Sequence, residues 1–524
     1  QIPDSRGFGP FPATESRAPL VMLRATARRL APATHATWRI HTRTASMPAL
    51  AEEPPVQSQP SFPGGEPTGP SMRTSCPGPE SERMRAQLGA TQETGAVKYF
   101  VDMEKSRGNY VVDVDGNRML DMFSHIASLP IGYNNPRMLD VFRDPANLTW
   151  LAHRPALFNL PPAGWAERIQ STLMRVAPPG LTHVTTQMCG SCANENAMKQ
   201  VYIAVANARR AADGLTGPTP EELESSMVNR APGAKPYKIM SFHGAFHGRT
   251  HGCLSVTHSK PIHKLDVPAY DWPVAPFPKL KYPSANNVDA NKAEERRCLD
   301  AARGLMDADP DVVGLIVEPV QAEGGDNHAS PGFFRELRRA ASDRGVKFIV
   351  DEVQTGCAAS GSFWAHEAWE LDDPPDAVTF SKKMQIAGYY TKADLVPDEP
   401  YRVFNTWMGD PSKVLMLEAV IDCVEQDGLI ANARETGDAL KGGLEALAVA
   451  YPGKLMNVRG VGTLVAADLA SGAERDRAVK ELRAEGVDIA HCGEAAIRCR
   501  PGLYFTPEHA RVFLDAFDRV LRRM

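Results

Sequence analysis

The chain has no apolar run near the roughly 18–20 residues that a membrane-spanning helix needs, so nothing in it points to a membrane. It also lacks a strong charge of one sign. A formal net charge of −5 over 524 residues offers no electrostatic footprint for a nucleic acid. Cysteine is sparse: nine are scattered along the chain, and an odd number cannot all pair. That spread argues against a secreted disulfide framework and for mostly reduced thiols. No repeat of roughly 20–50 residues is visible, which argues against solenoids and propellers. One further lack is local. From Ser16 to Leu50 there is no acidic residue, while Arg17, Arg24, Arg28, Arg29, Arg39 and Arg43 fall in the same stretch. In MLRATARRLA, Arg24 and Arg28 share one helical face and Leu23, Ala27 and Leu30 another. An Arg-rich, acid-poor, amphipathic leader is the pattern of a mitochondrial transit peptide, so residues 1–50 are expected to target the chain to the mitochondrial matrix. Residues 51–80, rich in Pro, Gly and Ser, are expected to form a flexible linker or arm.

The remainder has globular composition, with 43% hydrophobic and 23% charged residues, and is long enough for more than one domain. GNYVVDVDGNRMLDMF (108–123) alternates apolar and polar residues around Asp115-Gly116 and predicts a hairpin. Strands are expected at 183–188, 237–242, 314–317 and 346–351. Between them come a helix from about Ser191, with Ala193, Ala197, Val201 and Val205 at every fourth position, and another marked by Phe333 and Leu337 that stops at Gly345. Strand–helix–strand units of this length predict a parallel α/β sheet. The C-terminal segment reads as α+β and ends in a helix capped by Thr506-Pro507.

Within VKFIVDEVQTG (346–356) an apolar strand ends in two acids, Asp351 and Glu352. Successive side chains on a strand face opposite ways, so one acid can enter a cleft while the other faces a flanking structure. Open α/β sheets bind ligands at the carboxyl ends of their strands, although a strand that has merely reached the surface would look the same. In QMCGSCANENA (187–197), Gly190 and Ser191 stand where a strand enters a helix, a ready anion site or a plain N-cap. In DAVTFSKKM (376–384) two lysines follow an apolar strand; one could serve as a nucleophilic amine, whereas an isolated pair is more often solvated.

These segments, with GAFHGRT (244–250), EPVQAEGGDNHAS (318–330) and FNTWMGDPSK (404–413), occur in an order that resembles the class III pyridoxal-phosphate aminotransferases from about residue 80 to the C terminus. The resemblance implies a fold-type I α/β transferase. Its large cofactor-binding domain (151–395) would have a mainly parallel sheet with helices on both faces. A smaller α+β domain would be built from 81–150 and 396–524. It implies pyridoxal 5′-phosphate as cofactor, a small-molecule amino donor (4-aminobutyrate or another ω-amine such as β-alanine) and 2-oxoglutarate as acceptor. It also implies a homodimer sharing its active sites. Position by position, Lys382 resembles the Schiff-base lysine, with Lys383 a bystander. Asp351 resembles the pyridinium partner, Gln354 the ring-oxygen partner, Gly190 and Ser191 the phosphate cradle, and Phe246 the stacking aromatic. Thr406 resembles a phosphate ligand donated across the dimer.

Substrate recognition carries its own logic. The donor holds one distal carboxylate and the acceptor two, so one cation serves both half-reactions and a second must appear on demand. Arg249 resembles the first, Arg498 the second, and Glu323 the acid that neutralises Arg498 until it is needed. Ile126 resembles an apolar wall of the pocket. Cys189 and Cys192 could be a redox pair, half a zinc site or two plain thiols. In animal members of the family the motif holds a [2Fe–2S] cluster between subunits, so such a cluster is an expectation here. Two departures stand out. CAASGSFWAHE (357–367) replaces a stretch that is usually glycine-rich, and Phe123 stands where Tyr is common. Loss of the lysine or of the acid would have suggested a non-catalytic relative; both are present.

Overall fold

The strand that ends in Asp351 runs Lys347–Asp351 and sits in the middle of a seven-stranded sheet. In chain order the strands are β1 (His183–Gln187), β2 (Lys238–Phe242), β3 (Val274–Ala275), β4 (Val312–Val317), β5 (Lys347–Asp351), β6 (Ala377–Phe380) and β7 (Ala387–Thr391). Their spatial order is β1-β7-β6-β5-β4-β2-β3. Only β7 runs against its neighbours. The computed structural model describes residues 59–524, so the expected leader 1–50 lies outside the described residues.

The apolar runs arise because this sheet is covered on both faces. β4 is buried at every position. Along β5, Ile349 packs with Ala193, Ala197 and Val201 of helix α1 (Gly190–Ala212). Its neighbours Phe348 and Val350 pack with Phe333, Phe334 and Leu337 of helix α2 (Pro331–Ser342). Alternation along one strand therefore places the two helices on opposite faces. Ser330 caps α2 by accepting from Phe333 N, and the chain leaves the helix at Gly345, whose φ is +67°.

The hairpin forms as expected, Tyr110–Val112 against Arg118–Asp121, with Gly116 at φ +83°. Its third strand is Val487–Asp488, so N- and C-terminal segments do meet in one small sheet. A four-stranded sheet of Leu455–Val461, Leu464–Leu469, Ala496–Cys499 and Ala490–Cys492 adjoins it. Two expectations need correction. Residues 59–80 are not a free arm: Phe62 is buried edge-on to Tyr504, Glu66 accepts from Asn109 N at 2.6 Å, and Ser71 exchanges backbone hydrogen bonds with Arg118. Each backbone pairing or buried ring offsets the entropy of ordering a chain already stiffened by proline. The sheet's core also extends past residue 395. Helix α3 (Pro411–Gln426) buries Val414, Leu417, Val420 and Ile421 in the same cluster as Phe348. Among the described residues no helix is long and apolar enough to cross a membrane.

Candidate active site

Loops leaving the carboxyl ends of β1, β2, β4, β5 and β6 enclose a cavity of about 250 Å³. Its lining includes Cys189, Gly190, Ser191, Phe246, Asp351, Gln354 and Lys382, so seven of the expected site residues converge there. Asp351 is buried and accepts from four groups: Asn194 Nδ2 (2.7 Å), His247 Nδ1 (2.8 Å), Val353 N (3.0 Å) and, at 3.4 Å, Thr379 Oγ1. Glu352 turns the other way. Its Oε1 receives His366 N and the His366 ring, both at 2.8 Å. The two acids thus differ as alternation requires, one facing the cavity and one bracing the fold.

Lys382 follows β6 in left-handed backbone, φ +50°. Burial, helped by the Arg498 cation and opposed by Glu323, Asp351 and Glu318, pulls its amine down from 10.5 to about 8. Lys383 is no solvated bystander. It is 1% exposed, its Nζ reaches, among the described residues, only the Ala127 carbonyl at 3.5 Å, and burial lowers it to about 7. That carbonyl belongs to an unusual turn. Ser124, His125, Ile126 and Ala127 all have positive φ, between 46° and 63°. A left-handed turn without glycine costs roughly 1–2 kcal/mol per residue. Asp121 Oδ1 holds it by accepting from Phe123 N and Ser124 N, and Gln385 Nε2 donates to Ser128 O. Ile126 rides on this turn, 50% exposed, and does not line the cavity itself.

Glu323 and Arg498 form a close ion pair, as expected, although they come from a loop and a strand 175 residues apart. The pair, led by the Arg498 charge, overcomes burial and draws the Glu323 carboxyl to about 2. Two further donors of Arg498, Nε and Nη1, are buried without a partner among the described residues. Lys260 approaches the other Glu323 oxygen at 4.0 Å. Arg249 is exposed, makes no ion pair among the described residues, and its backbone N–H donates to Ser191 Oγ at 3.3 Å. Thr406 is exposed and outside this cavity. Cys189 and Cys192 place their sulfurs 3.5 Å apart as free thiols. Among the described residues no three His, Cys, Asp or Glu side chains are grouped to hold a metal.

Several site residues were not singled out in the sequence. Asn194 is a buried polar residue on the face of α1 that carries Ala193 and Ala197, a signal that was available. His247 lies inside GAFHGRT. Glu318 lines the cavity and accepts from Phe246 N and Ala322 N; burial and then the Asp351 charge push its carboxyl well above the ordinary range. Arg500 donates from Nε to Gln354 Oε1 at 2.8 Å and pairs with the buried Asp326.

The arrangement fits a phosphorylated pyridine aldehyde. Cys189 N-caps α1 without a side-chain bond, leaving the first helical N–H groups to an anion. A Cβ at Gly190 would lie 2.6 Å from Val353 Cγ1, and one at Gly248 (φ +126°) 2.3 Å from Ser191 Oγ, so only glycine permits the cradle. A nucleophilic lysine, a buried carboxylate and an anion cradle on a mostly parallel sheet define a pyridoxal-phosphate-dependent transferase of fold-type I. The chain belongs to the class-III aminotransferase family, whose model, Aminotransferase class-III, matches residues 91–521. It is 48% identical over 457 residues to 4-aminobutyrate aminotransferase, mitochondrial, of Homo sapiens, covering 86% of this chain and 91% of that one. It is 48% identical over 471 residues to 4-aminobutyrate aminotransferase of Dictyostelium discoideum, covering 90% and 94%. Among solved structures, lysine aminotransferase from M. tuberculosis superposes with a TM-score of 0.74 at 28% identity, over 84% of this chain and 98% of that one.

Proposed function

We propose that the protein is a 4-aminobutyrate:2-oxoglutarate aminotransferase that yields succinate semialdehyde and glutamate in two half-reactions. The observation that carries this reading is the Glu323–Arg498 pair beside Lys382. When bound, pyridoxal phosphate supplies an aldehyde carbon for the amine and a ring that accepts electrons from the substrate carbon. Asp351 would keep the ring nitrogen protonated, Gly190 and Ser191 would hold the phosphate, and Phe246 would cover the ring. Lys382 Nζ, at about 8, can take up and give back a proton near neutral pH.

Arg249 binds the carboxylate far from the amine, present in both substrates. With 4-aminobutyrate, Glu323 neutralises Arg498. With 2-oxoglutarate, Glu323 yields and Arg498 takes the second carboxylate. The active unit is a homodimer in which Thr406 reaches the partner's phosphate. Exposed apolar side chains, Leu160 at 71% and Trp407 at 47%, support a covered surface. The matrix is the site of action; the mitochondrial names of the mammalian relatives and the basic leader support it. A [2Fe–2S] cluster usually takes four thiolates, and this chain offers two at Cys189 and Cys192. The pair would be half of a site shared across the dimer; among the described residues no complete metal site is grouped, and no step depends on one.

The test is the visible absorbance of purified protein before and after 4-aminobutyrate without 2-oxoglutarate. A cofactor band that bleaches supports cofactor and donor together. A band that responds to β-alanine but not to 4-aminobutyrate would replace the donor.

A further inference from the structure

We infer that Arg500 is a positioning residue that fixes which end of the Gln354 amide faces the cofactor, so that Gln354 presents an N–H donor and not an oxygen. This rests on the reading that Gln354 faces the cofactor's ring oxygen. A guanidinium has donors only, so the Gln354 atom that Arg500 Nε meets at 2.8 Å must be the carbonyl oxygen. Gln354 lines the cavity, and its Nε2 bonds to no described residue, which leaves that amide group for a bound molecule. Arg500 itself cannot turn away. It is 2% exposed, Nη2 is paired with Asp326, and Nη1 donates to Cys499 O at 2.8 Å. Asp326 is fully buried and is anchored in turn, because Arg459 Nε donates to its carbonyl at 3.0 Å.

The arrangement is a relay from the loop bearing Glu323 to the floor of the cavity. Arg498 lies in the strand Ala496–Cys499 and Arg500 is the first residue past its end; two residues apart in extended chain, they face the same side. One engages Glu323 and the other the neighbouring Asp326. The ligand chemistry this serves is an anionic ring oxygen. An N–H donor stabilises a phenolate, whereas an amide oxygen in the same place would favour the protonated phenol.

The experiment reads the pH midpoint of the visible absorbance of the cofactor-loaded protein, and the dissociation constant for pyridoxal phosphate, in four proteins: wild type, Gln354→Ala, Arg500→Met and the double variant. Gln354→Ala should raise the midpoint by about one unit and weaken cofactor binding roughly tenfold. Arg500→Met should shift the midpoint in the same direction. The double variant should shift no further than Gln354→Ala alone, because Arg500 acts through the amide. A Gln354→Ala midpoint equal to wild type would remove the reading that Gln354 faces the ring. A shift in Gln354→Ala with none in Arg500→Met, or a fully additive double variant, would overturn the positioning role and leave that reading standing. If Arg500→Met does not fold, Asp326→Asn, which weakens the anchor and keeps the guanidinium, is held to the same outcomes.

Discussion

Asp351 Oδ2 stands 2.8 Å from Nδ1 of His247, and both side chains are closed to solvent. With Nδ1 donating, His247 Nε2 is buried without a partner among the described residues. The carboxylate is thus held by fixed donors before any ligand arrives, as its proposed role of stabilising a protonated ring nitrogen requires. Asp351→Asn keeps the shape and removes the charge. It should lower single-turnover rates with 4-aminobutyrate on the order of 10²-fold or more, with cofactor still bound. Wild-type rates in that variant would end the assignment of Asp351.

Lys382 must be unprotonated to attack an aldehyde, and its amine is drawn down from 10.5 to about 8. The protonated form dominates below that value. Loading of pyridoxal phosphate onto cofactor-free protein should therefore accelerate as pH rises and level off above about 8. Stopped-flow absorbance measures this. A plateau reached only near the ordinary lysine value would contradict the burial argument, and Lys382→Ala should abolish the band.

Glu323→Gln leaves a hydrogen-bonding side chain opposite Arg498 but removes its charge. The cation is then unneutralised whenever a substrate lacks a second carboxylate. The kcat/KM for 4-aminobutyrate should fall roughly tenfold, the difference between a charge-assisted and a neutral hydrogen bond, while that for 2-oxoglutarate is held or improved. Equal losses for both substrates would argue for a structural pair.

Ile126, at φ +63°, is a β-branched residue in a conformation that such residues avoid. Ile126→Gly should raise stability by about 1 kcal/mol by removing that strain, and should leave KM for 4-aminobutyrate unchanged because the side chain does not line the cavity. Thermal melts and steady-state kinetics on one preparation check both. A lowered melting point would show that the side chain contributes more packing than its backbone costs.

Cys357 and Ala358 also take positive φ, 68° and 70°, inside the loop that departs from the glycine-rich pattern. Both are fully buried, and their N–H groups share the Phe363 carbonyl at 2.8 and 3.2 Å. Ala358→Gly should be neutral to stabilising by up to about 1 kcal/mol, the reverse of Ala→Gly in a helix. Chemical denaturation would show it.

Much of the fold could be read directly from the sequence. Phe348-Ile349-Val350 read as a buried strand, and the acids at its tip as either a cleft and a flanking contact or a strand reaching the surface; Asp351 faces the cavity and Glu352 braces the fold. Arg500 was within reach too, since period-two alternation places it beside Arg498. The packed arm was not. Phe62 against Tyr504 and Glu66 against Asn109 join distant segments, and proline-rich composition describes only the chain's stiffness. The left-handed turn was also hidden, because Ser-His-Ile-Ala holds no glycine to announce it. Its conformation is imposed by Asp121, whose carboxylate collects two successive N–H groups.

The sequence by itself determined which residue types were on hand: a lysine after a buried strand, a carboxylate at a strand end, an uncapped glycine at a helix start, and paired cationic and anionic groups for two carboxylates. The first three follow from local patterns that reach only a few residues; the last was implied by the resemblance to the class III family. The tertiary structure alone decided the roles that depend on distance. It brought His247 and Asn194 to Asp351, turned the Gln354 amide against Arg500, buried Lys383, and pulled Lys382 down by desolvation. Charge, dielectric and hydrogen-bond direction depend on separation in space, and segments distant in the chain acquire that separation only when the chain closes on itself.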